Sequence, residues 1–422
     1  MRKWYSLRDK VYQMENLRKS FQAVKANKGA PGMDGETIEA FKAELSENLQ
    51  KLHEELKTGT YQPQPVRRTY IEKEDKSLRP LGIPAVRDRV VQQALKNVLE
   101  PIFDPDFHPS SYGYRPGKSC QHAIAKAERF MNRYGLPHVA DMDLSKCFDT
   151  LNHELIIRAV NRKVSDGEIL KLVRQFLKSG VMEEGVVKET ELGAAQGGPI
   201  SPLLMNIYLD EFDQKMKAAG MRMVRYADDI LIFGKSRKQV GQYMAYAIKV
   251  LEKDLKLKVN REKTCITSAD QGVAYLGVNI NEKWVTVHPK RIKRFKDKIR
   301  KLTQRNQGKN LEDVIKELNP VLRGWVNYFR IANCKGLLEE LMGWVRRRLR
   351  MKKMKEWKTW KALHKQLRRM GYHGDFEKIS VTRWRNSASP LINLALPNRW
   401  FNTLKLFDMT KVKVGILPCY YE

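Results

Sequence analysis

Cysteine is scarce and scattered in this chain. The five thiols, Cys120, Cys147, Cys265, Cys334 and Cys419, are odd in number, and no C-x-x-C pair occurs among the 422 residues. A disulfide framework and a cysteine-rich zinc site are thereby excluded, and a reducing compartment suits the pattern. Histidine is sparse too, at 8 residues. No uninterrupted apolar run reaches the roughly 18 residues of a membrane-spanning helix. The N-terminal MRKWYSLRDKVYQMEN has no apolar signal core. The expectation is a soluble cytoplasmic protein without a membrane partner.

Negative charge is the other shortage. Asp and Glu number 48 against 79 Lys and Arg, a formal net charge of +31. The excess concentrates in residues 285–370, which carry 26 Lys+Arg and 7 Asp+Glu. So uneven a charge calls for a polyanion, nucleic acid first. Trp325, Tyr328, Phe329, Trp344, Trp357 and Trp360 lie among these cations. Rings and cations together suit a nucleic-acid clamp, but Leu322, Trp325 and Phe329 recur at helical spacing and read as core. Hydrophobic residues at 42% and charged residues at 30% indicate a folded chain, long enough for two to four domains.

Periodicity predicts helices over residues 1–60, broken by the Gly/Pro-rich Asn27–Gly35 loop. Strands are predicted at VRRTYIEK, LRPLGIP, HVADMDLSKCF, VAYLGVNI and, as two short strands, MRMVRYADDILIF. Helices are predicted at Arg87–Leu99, Cys120–Met131, Asp166–Lys178, Leu203–Met216 and Lys238–Leu255, and successive basic helices from Pro289 onward. The fold class expected is α+β in the middle and all-α at the end.

Two acidic stretches stand out. "RYADDILIF" sets Asp228 and Asp229 side by side in an apolar run, and "DMDLSKCFD" puts Asp141 and Asp143 two apart, on one face of a strand. Alone, an Asp-Asp hairpin is commonly a solvated turn. A turn presenting Asp228 and Asp229 beside a strand edge presenting Asp143 is different. Such a cluster becomes tenable when divalent cations sit within it. Oxygen ligands, few histidines and no thiolate pattern favour Mg²⁺ over zinc, and a pair of such ions suits phosphoryl chemistry.

These stretches resemble a known family. Tyr226-Ala-Asp-Asp229 is similar to the Y-x-D-D box of reverse transcriptases, Asp143–Phe148 to their D-x-x-x-x-F/Y motif, and "QGGPISPLL" (Gln196–Leu204) to the loop and helix between them. "NKGAPGMDG", "SYGYRPGKS", "LRGWVNYF" and "RRRLRMKKMKEWKTW" resemble bacterial group II intron-encoded reverse transcriptase–maturases, over about residues 15–400.

The resemblance implies a right-hand polymerase: a helical extension at 1–60, fingers at 61–140, a palm with an antiparallel sheet at 141–284, a helical thumb or maturase domain at 285–350 and a small basic DNA-binding region at 351–422. It implies Asp143 and Asp228 as bridging ligands of two Mg²⁺ ions (Mn²⁺ as a substitute), the Leu144 carbonyl as a further ligand, and Asp229 as a supporting acid. Asp141 is not made a principal ligand. Phe148 is the implied steric gate against a 2′-hydroxyl. Lys73 and Arg79 are implied on the dNTP triphosphate, although Lys73 stands among Glu72, Glu74 and Asp75 and also reads as a hairpin ion pair. Gln196 and Gly197 line the nucleotide and template pocket. Lys263 is either a general acid for pyrophosphate or a phosphate-contacting or solvated lysine. Arg115 and Lys118, and Lys290, Arg291, Lys293, Arg294, Lys298 and Arg305 of a basic helix Pro289–Arg305, are the expected nucleic-acid contacts. A surface loop is the alternative for Arg115, and some of the helix's cations are solvated, since they cover more than one face.

Implied partners are an RNA template, a group II intron RNA, a DNA primer or target and dNTPs, in the bacterial cytoplasm or nucleoid. With no H-N-H nuclease segment before Glu422, second-strand cleavage is not expected. Two other readings share these residues. One is an RNA-binding splicing maturase with a vestigial polymerase site, against which the intact acids, Phe148 and Gln196 argue. The other is a domesticated defence or repair polymerase.

Overall fold

The computed structural model describes residues 3–72, 78–183, 186–188, 192–193 and 197–418. They form two compact units, Met1–Ser268 and Ala269–Glu422.

In the first unit, the strands are β1 (Val66–Glu72), β2 (Leu78–Ile83), β3 (His138–Met142), β4 (Val181–Glu183), β5 (Val186–Lys188), β6 (Arg222–Tyr226), β7 (Asp229–Gly234) and β8 (Cys265–Ser268). Two four-stranded sheets result, ordered β2-β1-β4-β5 and β6-β7-β3-β8. The second is antiparallel throughout. Its centre is apolar: Ile230, Leu231, Ile232 and Phe233 of β7 and Val139, Ala140 and Met142 of β3 are all at most 1% exposed. A strand buried on both faces reads as a continuous apolar run, and β7 does. The Arg237–Lys249 helix packs on β3 and β7, and the Cys120–Glu128 and Ser201–Ala218 helices pack on β6.

Local chemistry sets the helix starts. Asp166 caps the Gly167–Lys178 helix by accepting from the N–H groups of Glu168 and Ile169 at 3.0 and 3.2 Å. Its other oxygen accepts from the Leu7 and Arg8 N–H groups, which ties the N-terminal segment to this helix. Ile169, Leu172, Val173, Phe176 and Leu177 form the helix's buried stripe at three- and four-residue spacing. The predicted Lys238–Leu255 helix runs as α-helix over Arg237–Lys249 and continues as a wider turn through Val250–Asp254.

The second unit opens with a sheet of β9 (Val273–Tyr275), β10 (Val278–Ile280) and β11 (Val285–Val287), ordered β11-β10-β9. "VAYLGVNI" is therefore a hairpin and not one strand. Leu276 and Gly277 both take positive φ, 45° and 84°, the signs of a tight two-residue turn. Helices follow at Pro289–Leu302, Leu311–Phe329, Lys335–Trp357 and Trp360–Arg369. The basic helix ends at Leu302, short of Arg305. Arg348 reaches across to its C-terminus, donating to Thr303 Oγ1 at 2.6 Å and to the Thr303 carbonyl at 3.3 Å. That satisfies carbonyl oxygens which a helix end leaves without partners. Trp325 sits between Phe295 and Phe329, at ring distances of 4.6 and 4.8 Å, so these aromatics are packing residues, as their spacing suggests.

Candidate active site

The first unit brings the acidic stretches together. β6 and β7 form a hairpin whose last pair is Tyr226 opposite Asp229, leaving Ala227 and Asp228 as a two-residue turn. β3 pairs with β7 as far as Met142 opposite Ile230. Asp143, the next residue, therefore emerges at the mouth of that hairpin. Asp141 lies within β3, opposite Leu231 and Cys265.

Electrostatics register the convergence. Burial, then Asp228, Asp143 and Asp141, push the Asp229 carboxyl up to about 7, with Lys263 pulling the other way. Burial and Asp143 push Asp141 up to about 6. Two of the four carboxyl groups gathered from these distant stretches are thus pushed toward the neutral form, a situation that a divalent cation reverses.

Asp143 is held in place by the 260–264 segment. Asn260 Nδ2 donates to Asp143 Oδ2 at 3.0 Å, and the Asn260 N–H donates to the Asp143 carbonyl at 2.8 Å. The Asp143 N–H donates to Thr264 Oγ1 at 3.4 Å. Lys263 Nζ stands 3.5 Å from Asp143 Oδ2 on a largely exposed side chain. Asn260 and Thr264 escaped the sequence reading; nothing in LKVNREKT, residues 257–264, signals a partner over a hundred residues away.

Leu144 pairs with Val259, but the hydrogen bonds around that pair belong to Asp143, Ser145, Lys258 and Asn260. Leu144 is thus at a non-hydrogen-bonded position, and its carbonyl points away from the 258–260 segment. Its side chain is buried. Phe148 lies on the short Cys147–Thr150 helix, 8% exposed and joined to the core. Gly197 adopts φ 130°, and a Cβ there would come within 2.5 Å of the Gly82 carbonyl, so glycine is required by the approach to β2. Lys73 and Gln196 lie outside the described residues, as does the side chain of Arg79.

Oxygen donors in this number suit a hard divalent cation. Among the described residues no group of three or more His, Cys, Asp or Glu side chains forms a ready metal cage. Mg²⁺ fits such a partial set, because it commonly takes one or two carboxylates and completes its shell with water and substrate phosphates.

The expected nucleic-acid contacts divide. Lys118 is exposed, its ammonium 5.9 Å from the Tyr112 ring centre. Arg115 is turned inward. Its side chain is 6% exposed and donates to the Asp104 carboxylate and carbonyl and to the His108 and Ser111 carbonyls, at 2.7–3.0 Å. A guanidinium so engaged is a strut within its loop, contrary to the expected template contact. Lys290, Arg291, Lys293, Arg294 and Lys298 are all exposed. Arg305 lies beyond the helix and reaches towards the Val381 carbonyl at 3.5 Å.

Residues 71–280 match the family described as reverse transcriptase (RNA-dependent DNA polymerase), and residues 292–371 match the group II intron, maturase-specific domain. Protein YkfC of Escherichia coli strain K12 is 37% identical over 306 residues, covering 63% of this chain and 80% of that protein. The group II intron-encoded protein LtrA of Lactococcus lactis is 31% identical over 343 residues, covering 65% of this chain and 56% of LtrA. This chain thus spans little more than half of LtrA. A chain of the solved partial Cas6-RT-Cas1–Cas2 complex aligns over 59% of this chain and 43% of its own, with 24% identity and a TM-score of 0.38. The chain belongs to the reverse transcriptase family, a class of RNA-directed DNA polymerases. The maturase-specific domain places it with the group II intron-encoded reverse transcriptases. Among the described residues, no helix is long and apolar enough to cross a membrane.

Proposed function

We propose that this chain copies RNA into DNA at the cluster formed by Asp143, Asp228 and Asp229, and that it also assists splicing and mobility of a group II intron RNA. The observation that carries the reading is the meeting of the hairpin acids with Asp143, which raises Asp229 to about 7. In this reading Asp143 and Asp228 hold the metal ions, the Leu144 carbonyl adds a ligand, and Asp229 supports them. Two Mg²⁺ ions, when bound, activate the primer 3′-hydroxyl and neutralise charge on the leaving phosphate.

The chain's own groups do the remaining work by placement and charge neutralisation. Phe148 presents its ring where a 2′-hydroxyl would sit. Lys73 and Arg79 grip the triphosphate, with Gln196 and Gly197 beside the base. Lys263, exposed and 3.5 Å from Asp143, is placed to deliver a proton to departing pyrophosphate. The right-hand division goes with this reading: fingers at 61–140, palm at 141–284, thumb from 285 and a basic DNA-binding tail from 351. The exposed cations of Pro289–Leu302 support contact with primer, template or intron RNA.

The deciding experiment is dNTP incorporation on a primed RNA by the full chain beside Asp228→Ala. Loss of product in the variant supports the site, and undiminished product removes it. RNA splicing measured with the same variant separates the two activities: splicing that survives the substitution is an RNA-binding role independent of polymerisation.

A further inference from the structure

Asp228 is displayed by a turn that its own sequence does not favour. Ala227 adopts φ 59°, whereas Asp228 keeps a negative φ. A two-residue hairpin with these signs ordinarily takes glycine at its first position. A side chain there is strained, and such strain persists only where the surroundings over-determine the backbone.

The surroundings here are polar and wholly buried. Arg225, Asp213 and Asn206 are each 0% exposed. Arg225 Nε and Nη2 donate to the Asp213 carboxylate at 2.5–3.0 Å. Nη1 donates to the Ala227 carbonyl at 3.0 Å and to Asn206 Oδ1 at 3.1 Å. Asn206 Nδ2 in turn donates to the Gly113 carbonyl at 2.8 Å. Gly113 lies directly against the turn, so that a Cβ on it would come within 2.3 Å of the Ala227 nitrogen. The flanking backbone is sewn in as well: the Arg225 N–H donates to the Ser110 carbonyl, and the Tyr112 N–H to the Arg225 carbonyl, both at 2.9 Å.

A buried ion pair is poor value for stability alone, since apolar residues of similar volume commonly serve as well. This one grips the carbonyl immediately before Asp228. We infer that Asp213, Arg225, Asn206 and Gly113 are positioning residues, a buried clamp that fixes the Ala227 turn and thereby aims the Asp228 carboxylate at the metal. Asp213 orients the guanidinium, Arg225 grips the Ala227 carbonyl, and Asn206 ties that guanidinium to Gly113, which lies against the Ala227 nitrogen.

The inference rests on Asp228 being a metal-binding carboxylate, and the test separates the two. Mn²⁺ is titrated into the full chain without nucleic acid and followed by electron paramagnetic resonance, with thermal unfolding recorded in parallel. Asn206→Ala leaves the Arg225–Asp213 pair intact. It should raise the Mn²⁺ dissociation constant about tenfold, as outer-shell partners of metal ligands do. It should lower kcat with little change in the KM for dNTP, and add nothing further in an Asp228→Asn background. Arg225→Lys, which keeps the buried positive charge but not the fork that reaches Ala227, should behave alike, so the outcome does not hang on one variant's folding. A lowered unfolding temperature with unchanged Mn²⁺ affinity makes the network merely structural and overturns the inference. Loss of affinity in Asp228→Asn but not in Asn206→Ala or Arg225→Lys overturns it while sparing the site. Unchanged affinity in Asp228→Asn removes the carboxylate assignment and this inference with it.

Discussion

Asn260 and Asp143 are 117 residues apart in the chain, yet the Asn260 amide donates to the Asp143 carboxylate at 3.0 Å. Its backbone N–H also donates to the Asp143 carbonyl. The side-chain bond selects a rotamer for Asp143, and the backbone bond fixes where that rotamer starts. Asn260→Ala keeps the second and removes the first. Its expected effect is a loss of about tenfold in the single-turnover rate of primed-RNA extension, with the unfolding temperature nearly unchanged. An unaltered rate shows that Asp143 needs no such support.

Phe148 is buried on a one-turn helix, two residues after Lys146, which takes a left-handed conformation with φ 49°. A ring on so constrained a backbone cannot easily swing aside, which is what exclusion by shape requires. Phe148→Ala should therefore admit ribonucleotides, reducing dNTP-over-NTP discrimination by about tenfold or more while dNTP incorporation persists. Competition between matched dNTP and NTP measures this directly. Unchanged discrimination takes Phe148 out of that role.

Asp88 offers a pH effect at a distance from the chemistry. It is 1% exposed, accepting from the Tyr61 hydroxyl at 2.6 Å and the Gln64 N–H at 2.9 Å. Burial raises its carboxyl from 3.8 to about 6, with Tyr61, Gln64 and Arg87 opposing. The folded state therefore holds a proton that the unfolded state releases between about pH 4 and 6. Asp88's contribution to stability is full below pH 4 and is lost as pH rises through 6. In urea unfolding at several pH values, Asp88→Asn should flatten this part of the profile, whatever it does to the level. A variant that keeps the wild-type slope assigns the dependence elsewhere.

The acids and the hairpin were legible in the sequence because they rest on local pattern. An apolar β-branched run interrupted by two carboxylates yields a hairpin, and period-two spacing yields the strand bearing Asp141. The core face of the Leu311–Phe329 helix, with Leu322, Trp325 and Phe329, followed from three- and four-residue spacing in the same way. Long-range polar pairing left no such trace. The bonds from Asn260 to Asp143, Arg225 to Asp213 and Asn206 to Gly113 each join different elements, and a lone Asn or Arg has no periodicity to betray its partner. Arg115 shows the opposite error. A cation in a Gly/Pro-rich loop reads as a surface charge, yet the loop folds back so that its own carbonyls absorb the guanidinium.

That contrast separates two kinds of cation. Lys290, Lys293 and Arg294 are exposed on the Pro289–Leu302 helix, whereas Arg115 is spent on Asp104 and neighbouring carbonyls. A cation that meets phosphate displaces a counterion, so its removal lowers the salt dependence of binding as well as the affinity. Lys290→Ala, Lys293→Ala and Arg294→Ala combined should reduce the slope of log affinity against log salt by about 1 for each contact that is real, with the unfolding temperature held. Arg115→Ala should do the reverse. It should leave the slope intact and destabilise the first unit by about 3 kcal/mol, because Asp104 then stands partly buried without its partner. Filter binding to a primed RNA between low and moderate salt, beside urea unfolding, reads both. A slope untouched by the triple substitution removes that helix from the interface, and a slope lowered by Arg115→Ala returns the loop to it.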